Sequence, residues 1–180
     1  MSVAHRPASL YVMEHTKGPL MIAEVGVFKG GNALALLQMN TARIYLVDPY
    51  LAYSQKGIAG YNQQQLDEAM LEMIRRMRGY YDKVTIILQK SEAAAAMFPV
   101  EHFDYVYIDG DHNYEAARVD ILAWYTNVKK GGFLAGHDYN LTEVARAVNE
   151  FAKINGLELK IWVDMANGRK DWLVRKPEEK

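Results

Sequence analysis

The 180-residue chain contains no cysteine. Disulfides and thiolate metal sites are therefore excluded, and any metal must be held by oxygen or imidazole, which favours magnesium- or calcium-like ions over structural zinc. Excess charge is missing too. With 21 basic against 22 acidic residues, no bulk field draws the protein to nucleic acid or to an anionic membrane, so partners must be recognised locally. No apolar run approaches the roughly 20 residues that span a bilayer, and the N-terminus lacks a basic start followed by an apolar core. The expectation is a soluble, cytoplasmic protein. No repeat, low-complexity tract or Pro/Gly/Ser linker divides the chain. Residues 1–180 should form one domain, with a poorly patterned segment at 1–19 and a core at 20–175.

Short apolar or β-branched runs bounded by Gly, Asp or Pro predict strands at 20–26, 43–48, 84–89, 103–109 and 132–137, followed by 157–164 and 171–175. Helical patterns lie between them at about 30–39, 61–78, 92–97, 113–127 and 141–155, and a short helix is expected around Ser9 to His15. Lys129-Lys130-Gly131-Gly132 is expected to end the helix at 113–127 and turn the chain into a strand. The alternation predicts an α/β, Rossmann-like doubly wound sheet of seven strands, mostly parallel with a C-terminal antiparallel hairpin. Ligands of such sheets bind beyond the C-terminal strand ends.

Chemistry gathers at those ends. The run Tyr105-Val106-Tyr107-Ile108 stops in Asp109-Gly110-Asp111-His112, and Gly132-Phe133-Leu134-Ala135-Gly136 stops in His137-Asp138. The first strand runs through Glu24 into Gly26-Val27-Phe28-Lys29-Gly30-Gly31, where glycine permits a tight turn and close approach of a ligand at the helix start. A purely structural βα turn would read the same way. Phe28 stands where a dinucleotide fingerprint places its middle glycine, which argues against NAD. The second strand ends in Asp48, an acid placed to accept from ribose hydroxyls.

These motifs, with Ser91-Glu92 and Ile108-Asp109-Gly110-Asp111-His112-Asn113-Tyr114-Glu115, resemble the class I S-adenosylmethionine-dependent methyltransferases. More narrowly, the chain resembles the branch that includes small metal-dependent and macrolide-sugar O-methyltransferases, over roughly 20–175. The resemblance implies S-adenosylmethionine as cofactor. Glu24 and Gly26 would lie beside its methionine moiety, with Phe28, Gly30 and Asp109 close to it. Asp48 would bind the ribose, and Ser91 with Glu92 would border the adenine. Ser91 also reads as a plain helix N-cap.

If the fourth and fifth predicted strands are neighbours, Asp109 and Asp138 lie about one strand spacing, 4.8 Å, apart. Neither motif contains lysine or arginine, so a divalent cation, Mg2+ foremost, is the economical way to hold two such carboxylates together. His137 would be a third ligand by the resemblance, although relatives more often place an acid there. His112, with an ordinary pKa of about 6.5, suits a general base at neutral pH. The expected reaction is O-methylation: the cation lowers the pKa of an acceptor hydroxyl, His112 takes its proton, and the oxygen attacks the methyl group in line. Structural alternatives stand beside these roles. Asp109, Asp111 or Asn113 could cap the helix at 113–127, and His137 could be a satisfied strand-end histidine. Metal-free transfer with His112 or His137 as base, and a noncatalytic nucleotide-binding or assembly module, remain as other readings. Residues 49–61 are long enough for a lid over the acceptor. The exposed helix faces leave a homo-oligomer open.

Overall fold

A computed structural model describes residues 5–52, 60–165 and 168–178. The strands are β1 (Leu20–Val25), β2 (Thr41–Val47), β3 (Val84–Ile87), β4 (Phe103–Ile108), β5 (Val128–Gly136), β6 (Leu159–Val163) and β7 (Lys170–Arg175). The helices are α1 (Pro7–His15), α2 (Gly31–Leu37), α3 (Gln63–Met77), α4 (Ser91–Ala95), α5 (Tyr114–Asn127) and α6 (Thr142–Ile154). The strands form one sheet in the order β3-β2-β1-β4-β5-β7-β6. β1 to β5 pair in parallel, and β7 runs antiparallel to both β5 and β6. The predicted architecture is thus observed, with the order reversing between β1 and β4.

The sheet is buried on both faces, which explains why its central strands read as unbroken apolar runs. Ile22, Leu46, Tyr105 and Tyr107 join one core cluster with α1, α2 and α3, while Ala23, Val106, Leu134 and Trp172 join the other with α4, α5 and α6. Helix α3 starts in a full capping box, Asn62 accepting from the Gln65 amide and Gln65 from that of Asn62. The α5 cap resolves the choice among three candidates: Asn113 Oδ1 accepts from the Ala116 amide at 2.9 Å, which releases Asp109 for other work.

One boundary differs from expectation. The Lys129-Lys130-Gly131-Gly132 run lies inside β5, which begins at Val128 paired with Phe103. The pairing is irregular between Phe103 and Tyr105. Gly131 has φ +75°, and a Cβ on Gly132 would lie 2.9 Å from the Asp104 carbonyl oxygen. Glycine here allows a strand irregularity rather than a helix stop. The lid expectation falls largely on residues 53–59, outside the described residues.

Candidate active site

The ends of β1, β4 and β5 are pressed together by backbone contacts. The Asp109 amide donates to the Val25 carbonyl at 2.7 Å, and the His137 amide to that of Ile108 at 3.0 Å. Gly26 has φ +83°, and a Cβ there would sit 2.1 Å from the Asp109 carbonyl oxygen. Its glycine is thus demanded by the protein's own strand end, whatever else binds the turn. Gly26→Ala is expected to cost about 3 kcal/mol or more through left-handed strain and overpacking. Urea denaturation measures this; a loss below 1 kcal/mol, on the order of an ordinary surface change, would contradict the close approach.

On the β1 side, Glu24 is buried and its Oε1 accepts from Asn32 Nδ2 at 3.1 Å. Glu24 Oε2 and Asn32 Oδ1 are buried with no hydrogen-bond partner. Burial pushes the Glu24 carboxyl up to about 8, the bond from Asn32 opposing the shift only in part. Two buried oxygens without a partner suit an incoming cationic donor, Glu24 giving up its proton as it accepts. Asn32 was not singled out from sequence, because an Asn in the first turn of a helix reads simply as an N-terminal polar residue.

Asp48 turns its carboxylate back into the glycine turn. Its Oδ2 accepts from the Val27 and Phe28 amides, each at 2.9 Å, and its Oδ1 from the Tyr50 amide at 2.9 Å. Three of about four acceptor positions are occupied, so Asp48 shapes the turn. Phe28 takes φ +49° and packs against Tyr61, with ring centroids 4.8 Å apart. The Tyr50 hydroxyl donates to the Phe28 carbonyl at 2.6 Å. Gly30, with φ +71°, is the N-cap of α2. Ser91 does not cap α4: Lys90 holds the N-cap position, and Ser91 Oγ instead accepts from the Trp124 indole at 2.8 Å. Glu92 is exposed in the first turn of α4.

On the other side, Asp109, His112, His137 and Asp138 meet. His112 Nε2 lies 2.8 Å from Asp138 Oδ2 and 3.9 Å from Asp109 Oδ1. His137 Nδ1 lies 3.3 Å from Asp138 Oδ1 and 3.8 Å from Asp109 Oδ1, and its Nε2 is 4.0 Å from Asp171 Oδ1. Ligand atoms of Asp109, His137 and Asp138 all fall within 4.8 Å of one another. Asp138 holds φ +58°, a left-handed conformation that Asp tolerates better than most residues.

Both carboxylates have a guanidinium partner from outside the two strand-end motifs. Arg6 Nη2 donates to Asp109 Oδ2 at 2.9 Å, and Arg169 Nη1 to Asp138 Oδ1 at 2.8 Å. Both come from distant parts of the chain, so neither strand-end motif reveals them. His112 also departs from its ordinary value: Asp109 and Asp138 push its pKa up to about 9. In this arrangement it is protonated at neutral pH rather than poised as a free base. Against the cost of burial, His112 holds both carboxylates below their usual range, with help from Arg6 and His137 at Asp109 and from His137 at Asp138.

Comparison with known proteins bears on the fold and the family. A putative rRNA methylase from Clostridium thermocellum superimposes with a TM-score of 0.70 at 13% identity, over 100% of both chains. A putative methyltransferase from Streptococcus mutans, solved with S-adenosylhomocysteine, gives 0.66 at 14% identity, over 96% of this chain and 99% of that one. An uncharacterised protein of Acanthamoeba polyphaga mimivirus is 26% identical over 129 residues, 68% of this chain and 53% of its own length. The chain therefore spans about half the length of that curated relative. Residues 23–139, from the first strand through the Asp109 and Asp138 cluster, match the methyltransferase domain family. On that match and on its sheet order the chain belongs to this family, with the fold of the class I S-adenosylmethionine-dependent methyltransferases.

Proposed function

We propose that the protein transfers a methyl group from S-adenosylmethionine to a hydroxyl oxygen of a small molecule, assisted by a divalent cation. The observation that carries this reading is the meeting of Asp109, His112, His137 and Asp138 at the strand edge beside the orphaned acceptors of Glu24 and Asn32. The cofactor, when bound, supplies an electrophilic methyl group. Glu24 and Asn32 would accept from its ammonium, Asp48 would face its ribose across the turn, and Ser91 with Glu92 would lie toward the adenine. Holding acceptor and methyl group in line lowers the barrier by removing the entropic cost of bringing them together.

The donor set fits a hard cation such as Mg2+. Arg6 and Arg169 each engage one oxygen, leaving Asp109 Oδ1, Asp138 Oδ2 and His137 Nδ1 as the convergent donors. An ion there would displace His112 Nε2, now 2.8 Å from Asp138 Oδ2; carboxylate oxygen suits Mg2+, and the imidazole nitrogen extends the choice to transition-metal ions. The ion would supply Lewis acidity that makes an acceptor hydroxyl easier to deprotonate. His112 would take that proton once its contact with Asp138 is given up, because only the neutral imidazole accepts one.

A second reading is favoured by one specific observation: Arg6, Arg169 and His112 already balance Asp109 and Asp138 without an ion. In that case Asp109 orients the acceptor, and His112 or His137 receives its proton. Calorimetry on chelator-stripped protein, with S-adenosylhomocysteine alone and with added MgCl2, separates these readings. Micromolar S-adenosylhomocysteine affinity and a distinct saturable Mg2+ heat are expected. Absence of S-adenosylhomocysteine binding would overturn the function, and binding without any Mg2+ heat would leave the metal-free version.

A further inference from the structure

The first residues of the chain are poorly patterned, and the family match begins only at residue 23. Arg6 nevertheless enters the reacting edge. Its guanidinium forks between two partners, Nη1 donating to the Tyr107 hydroxyl at 2.8 Å and Nη2 to Asp109 Oδ2 at 2.9 Å. The Tyr107 hydroxyl in turn donates to Asp171 Oδ1 at 2.9 Å, and Asp171 Oδ2 accepts from the Ala8 amide at 3.1 Å. Ser9 Oγ lies 3.1 Å from the Tyr105 hydroxyl. The chain of bonds thus starts at Asp109, passes through Arg6, Tyr107 and Asp171, and returns to the first turn of α1. The apolar side chains of Ala8 and Val12, both fully buried, hold the same helix against the sheet.

We propose that Arg6 is a positioning residue of the reacting centre: by holding Asp109 through Oδ2, it turns Oδ1 toward His112 and His137. The inference rests on the methyltransferase reading of that edge. A carboxylate has two equivalent oxygens, and next to two imidazoles it can rotate between several pairings. A guanidinium that donates to one oxygen while anchored on Tyr107 removes that freedom, and the rigid fork of arginine is suited to this task. Helix α1 delivers the fork, so a segment outside the family match completes the site.

The test uses the full chain and S-adenosylhomocysteine as probe, comparing wild type with Arg6→Gln, Arg6→Lys and Ser9→Ala by calorimetry, with thermal melting in parallel. Loss of a hydrogen bond to a charged group predicts about tenfold weaker binding for Arg6→Gln. Arg6→Lys keeps a cation but loses the fork, and should recover about half of that loss on a logarithmic scale. Ser9→Ala loosens the docking of α1 without touching the Arg6–Asp109 pair, and its affinity should stay within about twofold of wild type. A merely structural Arg6 would lower the melting temperature in both Arg6 variants and leave affinity in place. The proposal is overturned if Arg6→Gln binds within twofold of wild type, or if Ser9→Ala weakens binding as much as Arg6→Gln. If wild type itself does not bind, the methyltransferase reading fails and this inference fails with it.

Discussion

Asp109→Asn is expected to lower the unfolding free energy by about 3 kcal/mol and to weaken S-adenosylhomocysteine binding by about a hundredfold. The substitution conserves shape and removes one negative charge. That charge faces the Arg6 guanidinium at 2.9 Å, His137 Nδ1 at 3.8 Å and His112 Nε2 at 3.9 Å, and the Asp109 and Arg6 side chains are only 22% and 20% exposed. Breaking one partner of such a pair leaves a cation with poor solvation, which costs more than the intact pair contributes. The partial exposure of both groups places the expectation at the low end of the range for buried pairs. Asp111→Asn is the internal comparison. Asp111 is exposed and accepts from the Asn113 amide and side chain at the turn before α5, so its replacement should stay within about 0.5 kcal/mol of wild type. Equal effects in urea titrations of the two variants would remove Asp109 from the centre of the site.

Glu24→Gln should show the other large effect, and it should depend on pH. Burial raises Glu24 from its ordinary 4.5 to about 8, so the folded chain keeps a proton that the unfolded chain has released. Stability therefore falls with rising pH across that window, and the loss is complete once the folded carboxyl also ionises. Glutamine cannot ionise. The difference in unfolding free energy between variant and wild type should shift in favour of the variant by about 1.4 kcal/mol per pH unit between pH 5 and pH 8, then level off. Parallel stability curves for the two proteins over this range would show that Glu24 does not carry the buried proton. The same proton links the site to its ligand: an ammonium donor favours the ionised carboxylate, so binding of S-adenosylhomocysteine to wild type at pH 7 should release a proton. Binding enthalpies that vary with the ionisation heat of the buffer would reveal it, and the dependence should vanish in Glu24→Gln.

The parts of the molecule that were legible in the sequence share one property: their signal is local. A strand covered on both faces must be apolar along its length, so 103–108 and 133–136 announce themselves. Where such runs end in Asp109 and His137-Asp138, charge at the end of a buried strand marks the edge where ligands bind. Glycine at position 26 is similarly readable, because a positive φ after a strand leaves few alternatives. By contrast, Gly131 and Gly132 resembled a helix stop, and only the pairing of Val128 with Phe103 shows a strand irregularity. Ser91 resembled an N-cap until the Trp124 indole took its hydroxyl.

By itself the sequence determined the order of the elements, the layered α/β class and the acids and histidines at the strand ends, because burial periodicity and turn chemistry act over a few residues. Only the tertiary structure decided how those groups are charged. Arg6 and Arg169 reach Asp109 and Asp138 across 103 and 31 residues of chain, distances over which no local pattern carries information. The two carboxylates around His112 convert an expected neutral base into an imidazolium. Burial does the reverse at Glu24, keeping a carboxyl protonated. Protonation depends on the summed field and solvation at a point in space, and that point exists only once the chain has folded.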